Sequence, residues 1–291
     1  MTLAKIPVDL LNPGQVFGCI GILEAARQLG KEEVVGGFDW REPGTSMFIA
    51  ECAGDVDPVT KTLDFLARAQ VSSVVSNDSE LNFEKWDIPT RRLGEVDPLP
   101  YREPSSPAAA PALLEADGKA LMVTHWGDTT VRDNVKFWAG AGGYPGAGLL
   151  RDALALIRDN ILDAMTDPFG LAAPQSSSFR FEWRRDYVPL DVGFSLNNHS
   201  GLVPLGYPLT EVLAAIGLTH ARPHRPDRRD KLHYRYGVIG GADATTYPLP
   251  LLRAALGCAQ LPFPTRTFNI TLDWPGKEGQ ARCITAVAEE T

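Results

Sequence analysis

The stretch from Ile6 to Gly30, IPVDLLNPGQVFGCIGILEAARQLG, constrains the fold more than any other. It reads as a short extended segment, a turn, and one strongly apolar helix. Asn12 suits the helix cap, and Pro13 suits the first turn, where its missing N–H forfeits no helical bond. Gly30 is placed to close the helix. Val16, Phe17, Ile20, Leu23, Ala25 and Ala26 form a wide apolar stripe, leaving Gln15, Glu24, Arg27 and Gln28 for solvent or a partner. A glycine inside a helix costs about 1 kcal/mol relative to alanine. Gly18 and Gly21, with Cys19 between them, therefore point to a second backbone approaching closely, as for a core helix docked on a sheet.

At 291 residues and 44% hydrophobic composition the chain can bury a large core, as one elaborate domain or two ordinary ones. The expected class is α+β, mixed sheets with packed apolar helices. The expected division is an N-terminal α/β part at 1–104, a linker or mobile loop at 105–118, and a C-terminal α+β part at 119–291, or one continuous domain. No apolar run reaches the length of a membrane span, and the start lacks a signal-peptide pattern, so a cytoplasmic protein is expected. Cys19, Cys52, Cys258 and Cys283 have neither zinc spacing nor a disulfide framework, and read as buried thiols. The net charge of −8 has the wrong sign for a lone nucleic-acid binder, so any such contact must come from a local patch or a larger assembly.

Further along, Ser46 to Cys52 reads as a strand. Asp57 to Gln70 reads as a helix opened by the Asp57-Pro58 cap pair, and Val71 to Ser76 as a returning strand. From Asn77 to Pro111 prolines accumulate and the pattern loosens. Lys119 to Trp126 restores a strand, and a glycine-rich turn, Gly140 to Gly148, feeds a helix from about Ala147 to Ala164. Such a turn either simply precedes a helix or offers backbone N–H groups to an anion; it matches neither a Walker motif nor a dinucleotide fingerprint. Ser177 to Tyr187 alternates Phe179, Phe181 and Trp183 with Arg180, Glu182 and Arg184, the period of a half-buried strand. Tyr207 to His220 is a second apolar helix whose Ile216-Gly217-Leu218 echoes Ile20-Gly21-Ile22. Leu249 to Leu256 reads as a helix, and two final strands pair as a hairpin across Pro275 to Gly279.

The segment Ala221 to Tyr236, ARPHRPDRRDKLHYRY, carries Arg222, Arg225, Arg228, Arg229, Lys231 and Arg235 against Asp227 and Asp230, a local +4 in an acidic chain. Arginine forks interleaved with His and Tyr suit phosphates and unstacked bases, while the plain alternative is a solvated loop. Catalytic motifs are weak. The five histidines show no HExxH spacing, no Gly-x-Ser-x-Gly elbow is present, and His125 with Asp128 is the one base-and-orienter pair. No catalytic residue, metal site or cofactor is expected.

Five phrases carry a resemblance: IPVDLLNPGQVFGCIGILEAA, the HW-x-D-x-x-x-R-D-x-x-K-x-W-A-G run from His125 to Gly140, GFSLNN at Gly193 to Asn198, YPLTEVLAAIGLTHARP at Tyr207 to Pro223, and YPLPLLRAAL at Tyr247 to Leu256. Together, in this order and over most of the chain, they resemble the Cas8-like large-subunit family of type I-G (formerly I-U) CRISPR effector complexes. The resemblance implies a non-catalytic Cas protein in a Cascade-type antiviral surveillance complex. Its expected partners are the other Cas subunits, CRISPR RNA, target double-stranded DNA and a helicase-nuclease recruited in trans, with no membrane. Such a subunit reads the short motif beside the target (PAM), helps open the duplex and presents the site, while RNA–DNA pairing reads the sequence.

Within that expectation Arg222, Arg225, Arg228, Arg229 and Lys231 contact phosphates. Asn197 and Asn198, with Gln175 or His199, read base edges. Arg132 and Lys136, beside Trp126 and Trp138, hold a displaced or guide strand by charge and stacking. Two alternatives stay open: a ferredoxin-like backbone subunit gripping guide RNA, and a stand-alone enzyme using His125 and Asp128.

Overall fold

The computed structural model describes residues 2–42, 44–94, 99–100, 102–126, 144–185, 203–227, 229–273 and 282–290. Its α+β architecture is built on two sheets. Strands β1 (Thr2–Val8), β2 (Val34–Glu42), β3 (Thr45–Cys52), β10 (His233–Gly241), β12 (Thr265–Asp273) and β13 (Cys283–Glu289) form the larger one, in the order β1-β3-β2-β10-β12-β13, and β11 (Tyr247–Pro248) also pairs with β2. Neighbours are antiparallel except β2 and β10, which meet in parallel through Gly240 opposite Phe38 and Gly241 opposite Asp39. The smaller sheet orders β5 (Thr90–Arg92), β4 (Gln70–Val75), β6 (Ala112–Ala116) and β7 (Lys119–Val123) as β5-β4-β6-β7. A two-residue ladder joins β8 (Ala173–Pro174) to β9 (Leu205–Gly206).

Helix α1 (Pro13–Gly30) lies between the sheets, touching β2 and β3 on one side and β7 on the other. Asn12 caps it and Pro13 occupies its first turn, as the sequence predicts. Two details differ. Gly30 is the last helical residue, and the left-handed position falls to Lys31 (φ 55°). Gln15 and Glu24 are buried, because α2 (Pro58–Arg68), α4 (Pro208–His220) and α5 (Leu249–Leu256) also pack around α1 and leave it little solvent face. Glu24 is matched by Arg253 of α5 in a two-pronged ion pair at 2.5 and 2.6 Å.

At the α1–α4 crossing the two helix backbones come into close contact. A Cβ on Gly21 would overlap the Leu213 carbonyl, and one on Gly217 would overlap the Phe17 carbonyl. The two Ile-Gly phrases that resemble each other in sequence thus meet face to face. Cys19, Cys52 and Cys283 are buried, Cys258 is partly exposed, and none of the four is in a disulfide.

Other expectations shift. The stretch 105–118 is not a linker over its second half, because β6 pairs there with both β4 and β7 and buries Ala112 and Leu114. Helix α3 (Gly146–Ile157) stops short of Ala164, and a 3-10 turn, Ile161–Ala164, continues the chain. Ser177 to Tyr187 is not a strand over its described part: Arg180 is left-handed at φ 65°, and Trp183–Arg185 is a 3-10 turn. The reason is polar. Glu211 of α4 accepts the N–H groups of Arg180 and Glu182 at 3.0 Å each. The wholly buried Glu182 side chain accepts from Asn12 at 2.7 and 2.8 Å and from Arg184 at 2.7 and 2.9 Å. Two buried carboxylates therefore pin this segment across the starts of α1 and α4, overriding the alternating pattern.

Candidate nucleic-acid interface

After α4, Ala221 and Pro223 are buried and anchor the chain, and Arg222 between them is exposed. His224 then pairs with Arg235 through two backbone hydrogen bonds of 2.7 Å, closing the intervening residues into a loop at the mouth of β10. Within that loop the acids are spent on turns. Asp227 accepts the Arg229 N–H at 2.8 Å, and Asp230 accepts the Leu232 N–H at 2.8 Å and faces His233 Nδ1 at 2.6 Å. The Leu232 N–H bond, with the His233 contact, holds the Asp230 carboxyl below the usual range, so it stays ionised and keeps the turn in place. Arg229 and Lys231 project into solvent, Arg225 is half-buried beside the Tyr234 hydroxyl, and Arg282 donates to the Lys231 carbonyl at 2.8 Å. Arg235 pairs with Glu290 and adds no net charge.

Arg225, Arg229 and Lys231 therefore belong to one framed loop, with Arg222 and Arg282 beside it. Sequence reasoning missed Arg282, a lone arginine in a stretch read as strand. Only the pairing of β12 with β13 brings it back to Lys231.

The remaining candidates fall differently. Arg132, Lys136, Trp138, Asn197, Asn198, His199 and Arg228, together with Asp128, lie outside the described residues. Gln175 is 1% exposed, which removes it from any surface that reads base edges. Trp126 is equally buried and donates its indole N–H to the Ala110 carbonyl at 2.8 Å, so its ring is not open for stacking on a strand.

His125 is enclosed by Trp126, Phe179 and Phe181 at ring-centroid distances of 4.6, 5.5 and 5.1 Å, and both its ring nitrogens lack a hydrogen-bond partner among the described residues. Burial, helped by the positive charge of Arg222, pushes its pKa down to about 3. An imidazole so weakly basic and so enclosed is poorly suited to general-base work at neutral pH. Among the described residues no cluster of three or more His, Cys, Asp or Glu side chains is arranged to hold a metal ion. No helix among them is long and apolar enough to cross a membrane. No protein-family model matches the chain, and neither a search of curated proteins nor one of solved structures returned a match.

Proposed function

We propose that this chain is a non-catalytic, cytoplasmic subunit of a CRISPR RNA-guided DNA surveillance complex, in which it contacts the DNA flanking the target, aids duplex opening and presents the site to a helicase-nuclease. The observation that carries this reading is the framed basic loop, in which backbone pairing and Asp turns hold Arg229 and Lys231 outward from an acidic molecule. Guanidinium groups on a fixed loop bind phosphates with less ordering cost than on a free one. The sequence phrases that resemble the Cas8-like family add support, and three of them form α1, α4 and α5 with their flanks. The acidic remainder leaves surface for protein partners.

One observation favours a second reading, a backbone-type subunit on guide RNA. Strand β1, helix α1 and strands β2 and β3 form a split β-α-β unit with β3 inserted between β1 and β2, the opening half of a ferredoxin-like arrangement. The half is not completed, because β4 leaves for the smaller sheet.

The test is reconstitution of the complex from its Cas subunits and guide RNA, with and without this chain, over targets differing in the flanking motif. The expected result is motif-dependent binding only when the chain is present, lost on replacing Arg222, Arg225, Arg229 and Lys231 by Gln. Equal target binding without the chain overturns the motif-contact role. A cross-link to guide RNA alone favours the backbone reading.

A further inference from the structure

A cleft of about 450 Å³ opens where the β1–α1 loop, the turn between β2 and β3, and the loop at Asp167–Gly170 converge, on residues separate from the basic loop. Its size falls in the range of small-ligand sites, about 300–1,000 Å³. Its polar lining includes Asp9, Gln15, Ser46, Asp167, Arg184 and Arg266.

The two guanidinium groups are held in place from behind. Arg184 is bound by the buried Glu182, donates to the Phe169 carbonyl at 2.9 Å, and lies 3.5 Å over the Tyr207 ring. Arg266 is bound through Nε and Nη2 by Glu289, both at 2.6 Å, and lies over Trp40 and Phe268. In each arginine Nη1 keeps an unspent donor. Gln15 is 6% exposed; its Oε1 accepts the Asp9 N–H at 2.7 Å, and its Nε2 has no hydrogen-bond partner among the described residues. The cleft thus offers fixed donors next to two exposed carboxylates, Asp9 and Asp167.

The charges decide what fits. Glu182 and Glu289 already match both guanidiniums, and Asp9 and Asp167 add negative charge, so a phosphate would be repelled. A neutral planar group bearing both donors and acceptors is favoured. Guanine fits this set: its N1–H and N2 amino group donate as a pair to a carboxylate, while O6 and N7 accept from Arg and amide donors.

We propose that this cleft binds an unstacked guanine base of a single strand. The inference stands on the cleft's own donors and acceptors and does not require membership of a surveillance complex.

The test uses the full chain and fluorescently labelled oligothymidylate carrying one central G, A, C or T, read by anisotropy. The expected result is about tenfold tighter binding of the G oligonucleotide, the size of one bidentate base contact. Asp9→Asn/Asp167→Asn, which keeps a side-chain oxygen at position 9 to accept the Leu11 N–H, removes the preference and leaves binding of the all-T strand unchanged; Gln15→Leu weakens it independently. Equal binding of all four strands by the parent chain, no binding of any of them, or a G preference that survives both sets of changes overturns the proposal. Replacing the basic-loop arginines lowers affinity for all four strands alike and preserves the G:T ratio, so failure of the loop and failure of the cleft are read separately.

Discussion

His125 sits among aromatic rings, 3% exposed, with neither nitrogen hydrogen-bonded among the described residues. Leaving such a group unsatisfied costs about 1–3 kcal/mol, and the site can hold the imidazole only in its neutral form. The unfolded chain takes up a proton near pH 6.5, and the folded chain only near pH 3. Between those values the unfolded state binds more protons, so stability falls as the pH falls, at up to about 1.4 kcal/mol per pH unit from this residue. His125→Leu removes that contribution. The expected outcome is a variant close to the parent at pH 7.5 and more stable than it at pH 5, measured by urea unfolding at both values. Equal pH dependence in the two proteins would show that His125 is not held neutral. The Lys119–Trp126 pattern read as a strand and gave no sign of the cage, because Phe179 and Phe181 arrive from a distant segment whose path is set by Glu211 and Glu182.

At the scale of elements, the Asn12-Pro13 start and the close backbone approach at Gly21 were legible in the sequence, but the partner was not: a sheet was expected, and the backbone that Gly21 meets belongs to helix α4, at Leu213 and Gly217. What the sequence hid was burial of the polar residues. Helical periodicity assigns Gln15 and Glu24 to one outer face with Arg27 and Gln28; the last two are exposed, but the helices packed around α1 bury the first two, and the partner of Glu24 lies 229 residues away at Arg253. The Ser177–Tyr187 alternation misled for the same reason, since side chains reaching from two helices fix its path. Gly21→Ala gains about 1 kcal/mol of helix propensity. It also pushes a methyl group into the Leu213 carbonyl, and overpacking of this kind typically costs about 1–3 kcal/mol, more where backbone rather than a side chain must yield. A net loss of about 2 kcal/mol is expected in urea titration. Gly21→Ala combined with Gly217→Ala should cost less than the sum of the two, because helices already separated by one methyl accommodate the second. Strict additivity would place the two glycines in independent contacts.

Across the whole molecule, charge is unevenly distributed. The chain carries −8, yet the loop closed by His224 and Arg235, with Arg222 and Arg282 beside it, concentrates basic side chains whose neighbouring acids are occupied in turns or paired with Arg235. A basic loop on a chain of net charge −8 should orient bound nucleic acid toward itself, since the overall field of the protein disfavours phosphate. The sequence made the loop visible by its composition. It did not reveal which cations are spent, because that depends on Glu290 reaching Arg235 and on Arg282 crossing from β13 to Lys231. Each phosphate contact to duplex DNA contributes about 0.9 to the slope of log K against log salt. Replacing Arg222, Arg229 and Lys231 by Gln should therefore flatten the slope for duplex binding by about 2 to 3, weaken binding at low salt by more than tenfold, and leave unfolding by urea nearly unchanged, since all three side chains are exposed. Replacing Arg235 should leave the salt slope nearly untouched and instead lower stability, because it strips Glu290 of its partner. If the Arg235 variant flattened the slope as much as the triple replacement does, the phosphate path would run along β10 instead of over the loop, and the loop's frame would be structural alone.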